Sequence, residues 1–219
     1  MQYGGNSAAP IFYRAVAYHG ILSYICRMNE KLLFRRARPA DTERIMEIIR
    51  QAQAQMRALG SLQWQDGYPA RADIDRDIAR GYGYVFEKSD AAENPAAAET
   101  PQKYDKGTVP GGVIAYGAAV FDGEPAYGAI DGAWLTGGDY VVLHRLAVAD
   151  GEKGRGVAAE FMRRTEALAR GRGVGSFRVD TNFDNRYMLR MLERLRFAYC
   201  GKIIYESGER LAFEKPLEA

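Results

Sequence analysis

Apolar residues recur every third or fourth position in some stretches and alternate or run together in others, so the chain reads as helices interleaved with strands. "KLLFRRAR" (31–38) has the character of an edge strand, and Pro39 ends it. Asp41 then stands as an N-cap, with Ile45, Ile48, Ile49, Ala52, Met56 and Leu59 on one helical face and Gly60 as the stop. "SLQWQDGYP" (61–69) is a loop, a short helix covers about 71–80, and "YGYVFEK" (82–88) is a strand. Residues 89–108, rich in Pro, Ala, Glu and Lys without a period, predict a mobile loop. "GGVIAYGAAVF" (111–121) is a strand, 122–138 a long connection, and "YVVLHRLAV" (140–148) an almost continuously apolar and therefore central strand.

After five more residues a helix buries Val157, Phe161, Thr165 and Leu168 and turns Arg163, Arg164, Glu166 and Arg170 away, until "GRG" (171–173) stops it. "SFRVD" is a strand, and "NRYMLRMLERLRF" a helix with Met188, Leu192 and Leu195 inward. "AYCGKIIYE" and "RLAFEKP" form a closing strand pair across "SGE". This order predicts a mixed α/β sheet.

Composition narrows the function classes. The 219 residues suit one large domain or a domain with an appendage. A formal net charge of +2 offers no field for nucleic acid or a membrane surface, and neither is expected as a partner. Cys26 and Cys200 stand far apart and make no disulfide framework, which points to a reducing, cytoplasmic setting. With only His19 and His144 beside them, no metal site is expected. Residues 1–27 lack the periodicity that begins after Met28, so they read as an appendage or a misplaced start ahead of a domain spanning 31–219.

"KGRGVAAEFM" (153–162) sets two glycines beside two cations and runs straight into a helix. A helix N-terminus carries unpaired N–H groups and partial positive charge, and glycine lets a ligand approach, so the stretch suits a bound phosphate. A P-loop is excluded, because Val157-Ala158 stand where Lys-Ser/Thr is required. "GRGVAA" fits a dinucleotide-binding turn, with Asp180 ending the next strand as a ribose-binding acid would. Five intervening residues, "ADGEK", and the late position in the chain count against it.

"LAVADGEKGRGVAAEFM", followed by "DTNFDNRYMLRMLERLRF" at the right separation, resembles the two coenzyme motifs of the GNAT superfamily of N-acyltransferases. The resemblance covers about 31–219 and implies a mostly antiparallel sheet flanked by helices, with a splay between its two central strands. It implies that Lys153, Gly154, Arg155, Gly156, Val157 and Ala158 form the coenzyme turn, with the pyrophosphate of acetyl-CoA on the backbone N–H groups from about Gly154 to Ala158. The pantetheine arm would pair with Leu146, Ala147 and Val148, and Asn185 would line the coenzyme's far side. Lys153 replaces the usual Gln or Arg, Arg196 the usual Gly, and Leu192 the frequent general-acid tyrosine, with Tyr187 and Tyr199 nearby in sequence.

Amine acylation is helped by a base that titrates near neutrality. By strand alternation His144 shares a face with Val142, Leu146 and Val148, which directs it at the splay, where this family's aralkylamine-type members carry a catalytic histidine. A buried structural histidine is the competing reading. Asp66 and Glu124 flank the acceptor side, Trp64, Tyr68 and Trp134 are candidates for its walls, and Arg145 should point to the opposite face toward an acidic strand residue. The basic run 163–173 reads as a solvated helix face. The expectation is an acetyl-CoA-dependent N-acetyltransferase acting by direct attack of an amine, small-molecule or peptide, with a homodimer left open. The missing tyrosine at Leu192 keeps an acyl-CoA-binding module without turnover as the alternative.

Overall fold

The computed structural model describes residues 32–88 and 112–217, so segments 1–27 and 89–108 lie outside the described residues. Eight strands form one sheet: β1 (Leu32–Arg36), β2 (Gly83–Lys88), β3 (Val113–Val120), β4 (Asp131–Gly132), β5 (Tyr140–Val148), β6 (Ser176–Thr181), β7 (Ala198–Tyr205) and β8 (Gly208–Pro216). Their spatial order is β1-β2-β3-β5-β6-β8-β7-β4. Every neighbouring pair with a described register is antiparallel except β5 and β6. Those two pair only at Tyr140–Ser176, Val141–Phe177 and Val142–Arg178 and then part, which is the expected splay. Among the described residues four α-helices flank the sheet: α1 (Thr42–Ala58), α2 (Arg71–Ala79), α3 (Val157–Arg170) and α4 (Arg186–Arg194). None is long and apolar enough to cross a membrane.

Helix α1 buries Ile45, Ile48, Ile49 and Ala52, which pack with Tyr116, Ala147 and Ala149 of the sheet region on one side. Leu59, read from sequence as part of that stripe, is instead the C-cap and 58% exposed, because the helix ends one residue before it. Asp41 occupies the N-cap position without capping α1. Its carboxylate takes the Arg35 guanidinium at 2.7 and 2.9 Å and the Arg38 N–H at 2.7 Å. The bond to Arg35 holds it below the usual carboxylate range against burial. On the other face, α3 buries Val157, Phe161 and Thr165 as the period predicts. Met162 and Ala169 complete its stripe while Leu168 is half-buried. In α4, Met191 and Leu192 are buried, with Met188 and Leu195 half-buried.

The connection after β3 folds back over the sheet as a short 3₁₀ helix, Pro125–Ala129, and the edge strand β4. A buried ion pair anchors it. Arg178, 5% exposed, donates to Glu214, wholly buried, at 3.1 Å and to the Thr136 carbonyl at 2.7 Å. The guanidinium lies between the Tyr140 and Trp134 rings, 4.0 and 4.4 Å from their centroids.

β5 is not regular. Ala118 pairs with His144 and Tyr116 with Ala147, so Gly117 faces two residues, Arg145 and Leu146. Arg145 takes a left-handed φ of 57° to accommodate the bulge. The alternation assumed from sequence therefore fails. His144 shares its face with Val142 and Ala147, while Leu146 and Val148 pack on the α3 and α4 side.

Candidate active site

Strand β5 runs through a 3₁₀ turn, Asp150–Glu152, into the glycine turn and α3. Gly154 and Gly156 have φ of 76° and 82°, and a Cβ at either would meet nothing within 4 Å. Glycine is required here by the left-handed backbone, and the space outside it is open. The Glu160 N–H bonds the Gly156 carbonyl at 3.0 Å, so the N–H groups ahead of it belong to the unpaired first turn. Lys153 and Arg155, read from sequence as facing an anion, lean on Asp150 (2.5 Å) and Glu152 (3.4 Å).

A cleft of about 1000 Å³ passes through the splay. Leu146, Met162 and Asn185 line it from one side and Trp64, Asp66 and Glu124 from the other; the glycine turn is not part of its lining. Ala147 and Val148 pair with β3 on one edge of β5, and the edge facing β6 has no strand partner beyond Val142. Asn185 caps α4 by accepting from the Met188 N–H at 3.2 Å, and its amide donates to Gln63 at 3.3 Å. Ser61 donates to Asp184 at 3.0 Å, so the loop after α1 is tied to the turn before α4.

The structure brings His144 and Glu124 together. His144 Nε2 lies 3.2 Å from Glu124 Oε2, within ion-pair distance, and this buried nitrogen has no hydrogen-bond partner. The imidazole holds the Glu124 carboxyl below its ordinary range, with burial opposing. Glu124 is fixed in place as N-cap of the 3₁₀ helix, where it accepts from the Ala126 N–H at 3.3 Å.

Arg145 reaches the same side as His144, contrary to the sequence expectation, and its acidic partner is on a helix. It forms a fork on Asp77 of α2 at 2.8 and 2.6 Å and donates to the Tyr68 hydroxyl at 2.8 Å. Tyr116 also donates to Asp77, at 2.6 Å. The bulge turns the Arg145 side chain toward α2.

Trp64, Asp66 and Tyr68 do line the cleft. Trp134 does not; its indole donates to the Tyr127 carbonyl at 3.0 Å and its ring covers Arg178. Leu192 is wholly buried, and Tyr187 and Tyr199 are exposed away from the cleft lining. Asp180 lines the cleft, a place sequence reading does not give it, and accepts from Tyr127 at 2.7 Å and Tyr205 at 3.4 Å. Burial first, and the Asp180 charge second, push both phenols up, which makes Tyr205 a poor proton donor. From sequence, Asp180 reads only as a lookalike ribose ligand. The mostly antiparallel sheet removes that dinucleotide reading, because it is not doubly wound.

The family model described as acetyltransferase (GNAT) family matches residues 56–197. Among solved structures, a GNAT-family acetyltransferase from Streptococcus agalactiae is 33% identical, with a TM-score of 0.68 over 86% of this chain and 96% of that one. One from Listeria monocytogenes is 20% identical, with a TM-score of 0.62 over 85% and 95%, and shares the fold. The NatC complex bound to Gag peptide and CoA shares the fold at 12% identity, with a TM-score of 0.56 over 86% and 99%. No curated protein matches the sequence.

Proposed function

Because the chain belongs to the acetyltransferase (GNAT) family, we propose that it moves an acetyl group from acetyl-CoA to a primary amine by direct attack. The coenzyme fits the residues present. The open left-handed turn at Gly154 and Gly156 leaves room for a pyrophosphate on the N–H groups up to Ala158, and the unpaired edge of β5 at Leu146–Val148 suits an extended arm. Acetyl-CoA supplies the acetyl thioester. His144 takes a proton from the attacking nitrogen at Nε2 as the new C–N bond forms and the C–S bond breaks. Glu124 steadies the imidazolium that results. Backbone N–H groups near Leu146 polarise the thioester carbonyl. With Leu192 buried and Tyr205 a poor acid, the departing thiolate takes its proton from water.

The observation that carries this reading is His144 Nε2, buried, without a hydrogen bond and beside a carboxylate, at the cleft. An amine screen with acetyl-CoA, read by thiol release, tests it. With an acceptor found, His144→Ala should lower kcat/KM by about 10²–10⁴-fold and leave coenzyme affinity unchanged. Wild-type turnover in the variant would make His144 structural. Coenzyme binding without turnover on any amine would favour the binding-module reading, which the buried Leu192 supports. The separation of Cys26 and Cys200 in sequence supports a reducing, cytoplasmic setting.

A further inference from the structure

On the α3 and α4 side of the sheet, opposite His144, a second pocket of about 470 Å³ is lined by Arg163, Arg170, Arg194, Arg196, Lys215 and Glu166. Five cationic side chains thus share one surface pocket with one carboxylate. Glu166 takes both Lys215 (2.6 Å) and Arg170 (3.0 Å). Arg163 is held by Glu160 at 3.0 Å. Arg194 and Arg196 have no side-chain partner among the described residues. Gathered like charges repel one another, and their summed field favours a counter-ion at this surface.

The backbone at Arg196 adds an independent observation. Helix α4 ends in a Schellman motif, with the Arg196 N–H on the Glu193 carbonyl and the Phe197 N–H on that of Leu192, each at 3.0 Å. Arg196 is the left-handed residue of that motif, at φ 63°, a position that favours glycine. The chain keeps a strained arginine where glycine would be easier, and that arginine lines the pocket. Glu166, mid-pocket, lies nine residues along α3 from Val157, about 14 Å from the glycine turn, so the pocket is separate from the coenzyme's expected phosphates.

We propose that this pocket binds a compact anion carrying two or more phosphate groups. Arginine forks suit phosphate oxygens. A net charge of only +2 gives the chain no extended field for a nucleic-acid polymer, which favours a small ligand.

Calorimetry with sodium tripolyphosphate, with one equivalent of CoA to fill the glycine turn, tests this. Wild type should bind one equivalent. Arg196→Gly should weaken binding by about tenfold or more while raising Tm by about 2–4 °C as the strain is relieved. Arg194→Gln should weaken it comparably, and Arg50→Gln, on α1 across the sheet, should not. Equal binding by wild type and Arg196→Gly would overturn the proposal, as would a like loss in Arg50→Gln. Absence of binding once CoA is present would assign the anion to the coenzyme site and also overturn it. A single-stranded oligonucleotide with three phosphates that outcompetes tripolyphosphate would make the occupant nucleic acid instead. A lower Tm for Arg196→Gly would remove the strain on which the assignment rests.

Discussion

Asp77→Asn is the sharpest test of how the fold aims its chemistry. Asp77 is buried, its side chain 5% exposed, and it takes two hydrogen bonds from Arg145 and one from Tyr116. Asparagine keeps the volume and an oxygen for Tyr116, so the change isolates the lost charge. Arg145, its side chain 15% exposed, then stays charged without an anion. Removing one partner of a buried pair costs about 3–5 kcal/mol. Arg145 keeps the Tyr68 hydroxyl at 2.8 Å, which sets the lower end, about 3 kcal/mol. At about 2–4 °C per kcal/mol for a chain of this size, Tm should fall by about 6–12 °C. Because Arg145 is the bulge residue next to His144, kcat/KM should fall too, measured well below the variant's Tm. Adding Arg145→Met removes the stranded charge, so the double variant should be more stable than the summed single effects allow, by about 1 kcal/mol or more. Melting curves and amine-acetylation rates on all four proteins decide it. Additive effects, or a single-variant loss below about 1 kcal/mol, would refute the idea that this pair braces the bulge.

Two further outcomes are expected. Gly154→Asn tolerates the left-handed φ of 76° but fills the open space, so CoA affinity should drop about tenfold or more with Tm nearly unchanged; equal affinities by calorimetry would remove the phosphate cradle. The Glu124 carboxyl is depressed in the fold, so its stabilising effect is present above the unfolded value of about 4.3 and is lost as pH falls through the lower folded value. Glu124→Gln should therefore be less stable than wild type at neutral pH, with the gap closing in acid; a constant gap would mean that its charge does not matter.

The sequence patterns that proved legible were those set by local periodicity. The α1 and α3 stripes, the strands other than β4 and the closing hairpin follow from residues a few positions apart. The splay was legible only through the resemblance of the glycine turn and the Asn185 helix to a known family. The bulge was not. It depends on how β5 registers against β3 and on a left-handed arginine, and no composition rule marks Arg145 as such a residue. Missing it misassigned the face of Leu146 and Val148 and reversed the direction of Arg145. Glu124 was visible as a loop carboxylate, but its approach to His144 depends on the path of the 122–138 connection. Arg196 stood out as a departure from pattern. What it faces became evident only when α3, α4 and β8 were seen together.

The short seam between β5 and β6 has a mechanical consequence. β1, β2, β3 and β5 form one plate, and β6, β8, β7 and β4 the other, with three residue pairs joining them. Arg178, gripped by the Tyr140 and Trp134 rings and tied to Glu214, stiffens that join like a rivet beside a hinge. The two plates are jaws with a fixed fulcrum at residues 140–142 and 176–178. Beyond that fulcrum the Ser61–Asp184 and Asn185–Gln63 bonds, at 3.0 and 3.3 Å, also cross from the loops of one plate to those of the other. The splay is thus spanned twice, by a backbone seam and by a pair of side-chain ties.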